Sequence, residues 1–205
     1  GDLENTNKLN QTKLEVNLFS TDYVFECDSF VLSLSFINPL LLTNLDLMSR
    51  PVSYLKYTVK FKTEVKDFKI SLMLHQSHCF DRVDDYMIGG CFPFGNFETA
   101  YFGLNRQHPM SHTGDSFSAD WGYTYIAGTE AFYTSKTAID NFIINGQLEY
   151  KHDNRNEEKY IVAVDSYQNS SNTVEGKFMV AFDDLCSIFY FGQWLKGYYF
   201  RNGKT

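Results

Sequence analysis

Residues Leu45 to Lys62 read LDLMSRPVSYLKYTVKFK, and the change of pattern inside this stretch decides the fold. Leu55, Tyr57, Val59 and Phe61 alternate with Lys56, Thr58, Lys60 and Lys62. Successive side chains of a strand point to opposite faces, so this alternation describes a strand with one apolar and one wet face. Pro51 disfavours helix at Arg50 and fixes the entry to the strand near Val52. The preceding residues Asp46, Ser49 and Arg50 read as a corner, with the Arg50 guanidinium forking onto a carboxylate, Asp46 or Asp183.

The same period extends in both directions. Upstream, Leu14, Val16 and Leu18 alternate with Lys13, Glu15 and Asn17, and Tyr23, Phe25 and Cys27 follow. Asp28-Ser29 reads as a tight hairpin turn before Phe30, Leu32, Leu34 and Phe36. Downstream, Phe68, Ile70, Leu72 and Leu74 face inward opposite Lys69, Ser71 and Met73, with Lys66-Asp67 near the connecting turn. Further strands are expected around 98–104, 121–127, 160–164 and 178–182. Residues 77–119, otherwise rich in Gly, Asp and aromatics, and 168–176 (QNSSNTVEG) read as loops. Only SKTAIDNFIINGQL (135–148) has helical spacing, with Ile139, Phe142 and Ile143 on one side, Ser135 as cap and Gly146 as stop. Many strands, one short helix near 135–145 and no βαβ rhythm predict an all-β antiparallel sandwich. With neither repeat nor linker in view, residues 1–205 read as a single domain.

Composition narrows the function. The 205 residues are 43% hydrophobic and carry a net charge of −7. No Lys/Arg cluster has the density of a nucleic-acid footprint, so no nucleic-acid partner is expected. No apolar run approaches the roughly 18 residues of a membrane helix. The start GDLENTNK has no basic-then-apolar leader and reads as the cut end of an excised segment. The four cysteines, Cys27, Cys79, Cys91 and Cys186, form no C-x-x-C pair. Cys79 and Cys91 flank one irregular loop, and either a bridge or two unpaired thiols fits.

Chemical constellations are sparse. Asp84-Asp85 and Asp183-Asp184 are adjacent pairs, whereas glycoside hydrolysis needs two carboxylates roughly 5 to 10 Å apart across a bond. His75, His78 and Asp81 form H-x-x-H-x-x-D, and His108, His112 and His152 lie in polar segments. Polar loop histidines are the simpler reading, because a metal centre needs three or four convergent ligands. No G-x-S-x-G elbow and no phosphate-binding glycine pattern occurs. Trp121, Tyr123, Tyr125, Trp194, Tyr198 and Tyr199 suit sugar stacking as well as core packing. Asn10 and Asn169 head N-x-S/T sequons.

Three blocks taken together resemble the glutaminase A family: LDLMSRPVSYLKYTV (45–59), ADWGYTYIA (119–127) and FDDLCSIFYFGQWLKGYYFRNG (182–203). Their order and spacing fit that family's N-terminal β-rich domain, a domain of unknown function, from about residue 12 to 203. The resemblance implies a galactose mutarotase-like supersandwich in a larger secreted or cell-envelope protein. A following helical, α-toroid-like domain would carry hydrolysis and be the intramolecular partner. The motif residues it picks out are Asp46, Ser49, Arg50, Pro51, Asp120, Trp121, Tyr123, Asp183, Asp184, Tyr190, Phe191 and Gly192, in structural roles. No catalytic residue, metal or cofactor is implied here. The expected role is a non-catalytic accessory module with an apolar docking patch at Tyr198, Tyr199 and Phe200. The alternative is an autonomous carbohydrate-binding module.

Overall fold

The computed structural model describes residues 6–79, 85–110, 120–148, 157–170 and 172–203. Three hairpin-linked strands open the chain, β1 (Asn10–Val16), β2 (Ser20–Glu26) and β3 (Phe30–Ile37). A single helical turn, α1 (Leu45–Met48), leads into β4 (Val52–Phe61) and β5 (Val65–His75). Then come β6 (Met87–Phe94), β7 (Phe97–Leu104), β8 (Tyr123–Gly128) and β9 (Glu130–Ser135), which runs directly into α2 (Lys136–Asn145). Long strands β10 (Lys159–Ser170) and β11 (Thr173–Asp183) precede a small hairpin, β12 (Ile188–Tyr190) and β13 (Gln193–Leu195).

The strands form an eight-stranded sheet ordered β1-β2-β3-β4-β11-β8-β7-β6 and a three-stranded sheet ordered β5-β10-β9. Every pairing in them is antiparallel. The two sheets share one core, as expected of a sandwich. Leu55, Tyr57, Val59 and Phe61 of β4 are buried there with Phe102, Ile126 and Phe178. Phe68 of β5 meets Phe61 edge-on at 5.1 Å and Phe30 at 5.5 Å, which ties the layers together.

Strand β10 is buried on both faces. Ile161 and Ala163 enter the inter-sheet core, while Val162 and Val164 pack under Ile139 and Phe142 of α2. The helix therefore forms a partial third layer. Ser135 stands at its N-cap without a side-chain cap bond, and Gly146 ends it at φ 67°, donating its N–H to the Phe142 carbonyl.

Four expectations need correction. Leu14, Val16 and Leu18 do not line the core; they are 50%, 76% and 83% exposed, because β1 and the turn after it lie beyond the reach of the smaller sheet. Much of 77–119 is strand: β6 and β7 pair over Met87–Leu104. The glycines that weaken its strand signal are needed for close approach, since a Cβ on Gly89 would lie 2.4 Å from the Tyr101 carbonyl and 2.7 Å from the Tyr133 ring. Most of the segment 168–176 belongs to β10 and β11, and there Gly176 makes room for Tyr57. Trp121 precedes β8 instead of opening it, while Lys66 and Asp67 lie beside the 62–64 turn, as expected, in the first residues of β5. Cys79 is buried, Cys91 exposed, and both are free thiols.

Candidate functional site

The two ends of the sandwich differ. At one end the connections are short, such as Cys27–Ser29, where Cys27 donates its N–H to the Phe30 carbonyl. At the other lie the longer connections: 38–51, the 3-10 turn Gln76–His78, residues 105–110 and 120–122, and residues 184–203. The three sequence blocks meet at this second end. Tyr123, at the start of β8, pairs with Asp183 at the end of β11. The next residue back, Phe182, donates its N–H to the Pro51 carbonyl at 3.2 Å.

Local chemistry explains the joint. Asn44 Oδ1 caps α1 by accepting the Leu47 N–H at 3.1 Å. Gly122 has φ 89° and lies so close to β11 that a Cβ there would sit 2.6 Å from the Asp183 carbonyl oxygen. Its N–H is donated to Gln107 Oε1 at 2.6 Å, and Gln107 Nε2 donates to the Leu104 carbonyl. Asp183 Oδ1 accepts the Leu185 N–H at 2.9 Å and the Tyr199 hydroxyl at 3.3 Å. Burial, then the charges of Asp183 and Asp184, raises the Tyr199 phenol well above its usual range, so it remains a donor. Asp120 is buried, and its carbonyl accepts the His108 N–H. Among the described residues, Ser49 Oγ, Trp121 Nε1 and Asp184 Oδ1 are buried without a hydrogen-bond partner.

The corner is built differently from expectation. Arg50 is exposed, and the cation that meets Asp46 is Arg201, at 2.6 Å. The Arg201 guanidinium lies 3.6 Å from the centre of the Tyr198 ring, so one side chain joins α1 to the chain's last turn. Sequence spacing favoured Arg50 as the near neighbour of Asp46; the fold brings the remote arginine closer. Arg201→Ala should lower the melting temperature by roughly 2–4 °C, about 1 kcal/mol, whereas Arg50→Ala should change it by less than about 1 °C. Thermal denaturation of the two variants checks this.

Tyr190, Phe191 and Gly192 stand apart from this joint, on the β12–β13 hairpin. Phe191 (φ 45°) and Gly192 (φ 81°) form its two-residue loop, with positive φ at both positions as a type I′ turn requires. The hairpin is the aromatic patch of this end: Ile188, Phe189, Tyr190, Trp194 and Leu195 are exposed, and Phe191 is 89% exposed. Of the patch expected at Tyr198, Tyr199 and Phe200, one member is exposed. Tyr198 is exposed, but Tyr199 and Phe200 are half-buried, their rings tilted by 35° with centres 4.4 Å apart.

Catalytic groups are weakly assembled. Asp85 accepts the backbone N–H groups of Tyr86 and Arg106, and Asp183 caps Leu185, so both serve as turn acids. His75 bonds Ser77 and stacks near Tyr160 at 5.0 Å; burial lowers its pKa and that of His78. Asp81, Asp84, His112 and His152 lie outside the described residues. No group of three or more His, Cys, Asp or Glu side chains suits a metal ion among the described residues. Burial pushes the Cys79 thiol up to about 11, leaving it unreactive at neutral pH. A cleft of about 350 Å³ lined by Pro51, Ser53, His78, Thr124 and Phe182 opens at this end.

Fold and joint define a β-sandwich module with one elaborated, aromatic end. The chain matches the family described as a domain of unknown function, DUF5127, over residues 20–205, and belongs to it. The match begins at β2 and leaves β1 outside. No curated protein matches the chain. No helix among the described residues is long and apolar enough to cross a membrane.

Proposed function

We propose that this chain is a non-catalytic accessory module of a glutaminase A-like, multidomain hydrolase of the cell envelope or exterior, and that its elaborated end supports the active-site cleft of a helical neighbour. The observation that carries the reading is the exposed apolar hairpin at the end where the sequence blocks converge. Continuity supports it as well: exposed Leu45 adjoins Asp46, and Asp46 is held by Arg201 beside exposed Tyr198. Apolar surface concentrated in this way marks interaction sites. The unpartnered Ser49, Trp121 and Asp184 atoms also suit an end completed by a neighbour.

The isolated chain should hydrolyse neither glutamine nor aryl glycosides. In the parent polypeptide, Phe191→Asp combined with Trp194→Ala should cut hydrolysis at least about tenfold, while the isolated module carrying both changes keeps its melting temperature. Turnover by the isolated chain, or full activity of the doubly substituted parent, would refute the reading.

One observation favours carbohydrate binding as the alternative. On the outer face of the large sheet, Tyr101 and Tyr125 stack at 5.8 Å with a 29° interplanar angle, and Tyr123 is 6.1 Å from Tyr101. Such a ladder offers sugar rings a π-surface. Calorimetric titration with glycans, repeated with Tyr101→Ala, separates the two readings.

A further inference from the structure

The two layers of the sandwich have four edge strands, β1, β6, β5 and β9. An edge offers unpaired backbone groups to any other extended chain, and folded proteins guard their edges against this. Three of the four are guarded here. β1 is bulged between Gln11 and Lys13 and carries the charges of Lys13 and Glu15. β6 contains Pro93, which has no N–H to give. β9 is met by β6, where Cys91 Sγ accepts the Tyr133 N–H at 3.2 Å. The fourth, β5, is eleven residues long, lacks proline and pairs only with β10 among the described residues. Its charges, Lys66, Asp67 and Lys69, lie in the first half, whereas Ile70–Leu74 (ISLML) has none.

We propose that the outer edge of β5 is a strand-addition site. Its occupant is an extended segment of a partner protein, uncharged and apolar at alternate positions, which becomes the fourth strand of the smaller sheet. The proposal goes beyond the accessory role above and does not depend on it.

Two independent observations set the occupant's chemistry. The first is the backbone. Every second residue of β5 points its N–H and C=O away from β10. Among the described residues, none of these groups takes part in the backbone hydrogen bonds made outside strands and helices. A row of donors and acceptors at strand spacing is matched by another extended backbone, and not by a helix or a lipid chain. The second observation is the space beside that edge. Phe68, in the first half of β5, reaches Phe30 of β3 and closes the core there. Along the second half the layers part around a pocket of about 460 Å³, with Leu72 and Leu74 on the smaller sheet and Phe19, Phe36 and Leu40 beside the larger one. Phe36 is 48% exposed. No Asp, Glu, Lys or Arg lines the pocket, so an ionised side chain entering it would stay unpaired, while an apolar one gains burial. A strand added to β5 sends every second side chain toward the larger sheet, over β2, which is only half-buried. The uncharged half of the edge and the uncharged pocket thus coincide at Leu72 and Leu74.

The test uses this chain and a capped synthetic peptide of about nine residues, with valines alternating with threonines and a lysine at each end. Calorimetric titration should show binding, and hydrogen exchange should slow at least about tenfold at alternate amides of Ile70–Leu74, with β1 and β6 unchanged. N-methylation of one alternate set of peptide amides should weaken binding at least about tenfold, and of the other set less than about twofold, because only one peptide edge faces β5. Phe36→Lys should weaken binding about tenfold by setting an ammonium in the uncharged pocket. Leu40→Lys, in the connection after β3, is the second variant should Phe36→Lys lower the melting temperature. Phe191→Asp, on the hairpin, should leave binding unchanged. Failure to bind at millimolar peptide, protection confined to other strands, or equal binding of both N-methylated peptides overturns the proposal. Protection of Ile70–Leu74 that grows with chain concentration alone assigns the edge to a second copy, and protection already present in a monomeric parent polypeptide assigns it to an intrachain segment. Either result also overturns it.

Discussion

Gly176→Ala is expected to destabilise the chain by about 3 kcal/mol, roughly a 10 °C fall in melting temperature, with partial loss of soluble yield. The cause is a phenol. A Cβ at position 176 would lie 2.1 Å from the Tyr57 hydroxyl oxygen, 2.3 Å from its ring carbon and 2.9 Å from Asp165 Oδ2. Tyr57 is only 1% exposed, packed in the core beside Phe178 with ring centres 5.4 Å apart. Its hydroxyl donates to Asp165 and sits 2.7 Å from the Tyr167 hydroxyl, which donates to the Glu175 carbonyl at 3.1 Å. Asp165 Oδ1 accepts the Thr129 N–H at 3.0 Å. One buried carboxylate thus links β4, β10, β11 and the β8–β9 turn. Buried polar groups are costly unless satisfied, so displacing Tyr57 unsettles every partner. Combining Gly176→Ala with Tyr57→Leu, which removes the obstructing ring, should cost well below the sum of the single changes. Additivity within about 0.5 kcal/mol would mean that the clash is not the cause.

The second large effect is alkaline unfolding. Stability should begin to fall above about pH 9, as the unfolded chain releases the proton that the buried Cys79 thiol retains, and fall steeply above about pH 10, where phenols join it. Burial, followed by the hydrogen bonds to Asp165 and Tyr167, holds the Tyr57 phenol far above its usual range. Tyr199 is raised by burial and by the charges of Asp183 and Asp184, and Tyr125 is raised to about 12, chiefly by burial. The folded chain therefore retains protons that the unfolded chain releases near pH 10. Stabilisation from these phenols is complete below that pH and disappears as the pH rises through the folded values. Each raised phenol contributes up to about 1.4 kcal/mol per pH unit to the slope. Tyr57→Phe should lower stability at neutral pH, because Asp165 loses its donor, yet give a shallower alkaline limb. Urea unfolding from pH 7 to about 11.5 measures both. An unchanged slope would show that Tyr57 does not titrate with unfolding.

Much of the fold was legible without coordinates. Alternation at 55–61 and 68–74 identified strands whose apolar sides do meet in the core, and the spacing of Ile139 and Phe142, with Gly146 after them, located α2. Legibility failed where a glycine serves a distant side chain. Gly89 and Gly176 lower local strand preference, yet both lie in strands, because Tyr133 and Tyr57 fill the space that a Cβ would take. Asp165, the single charge within the apolar run of β10, was the available hint of the buried network, but its partners are too far away in sequence to be inferred from spacing.

For the candidate site, the sequence blocks located the end of the sandwich and not its wiring. Asp46, Pro51, Tyr123 and Asp183 do gather there, whereas Arg50 does not hold Asp46 and Arg201 does. What the sequence alone determined is the period of the chain: which residues alternate, where turns break the alternation, and hence an antiparallel sandwich. Which apolar faces are covered was decided only by the tertiary structure. A strand's period is set by its own backbone, but burial depends on how far the opposite sheet extends, and the three strands facing eight leave β1 exposed and β2 only half-buried.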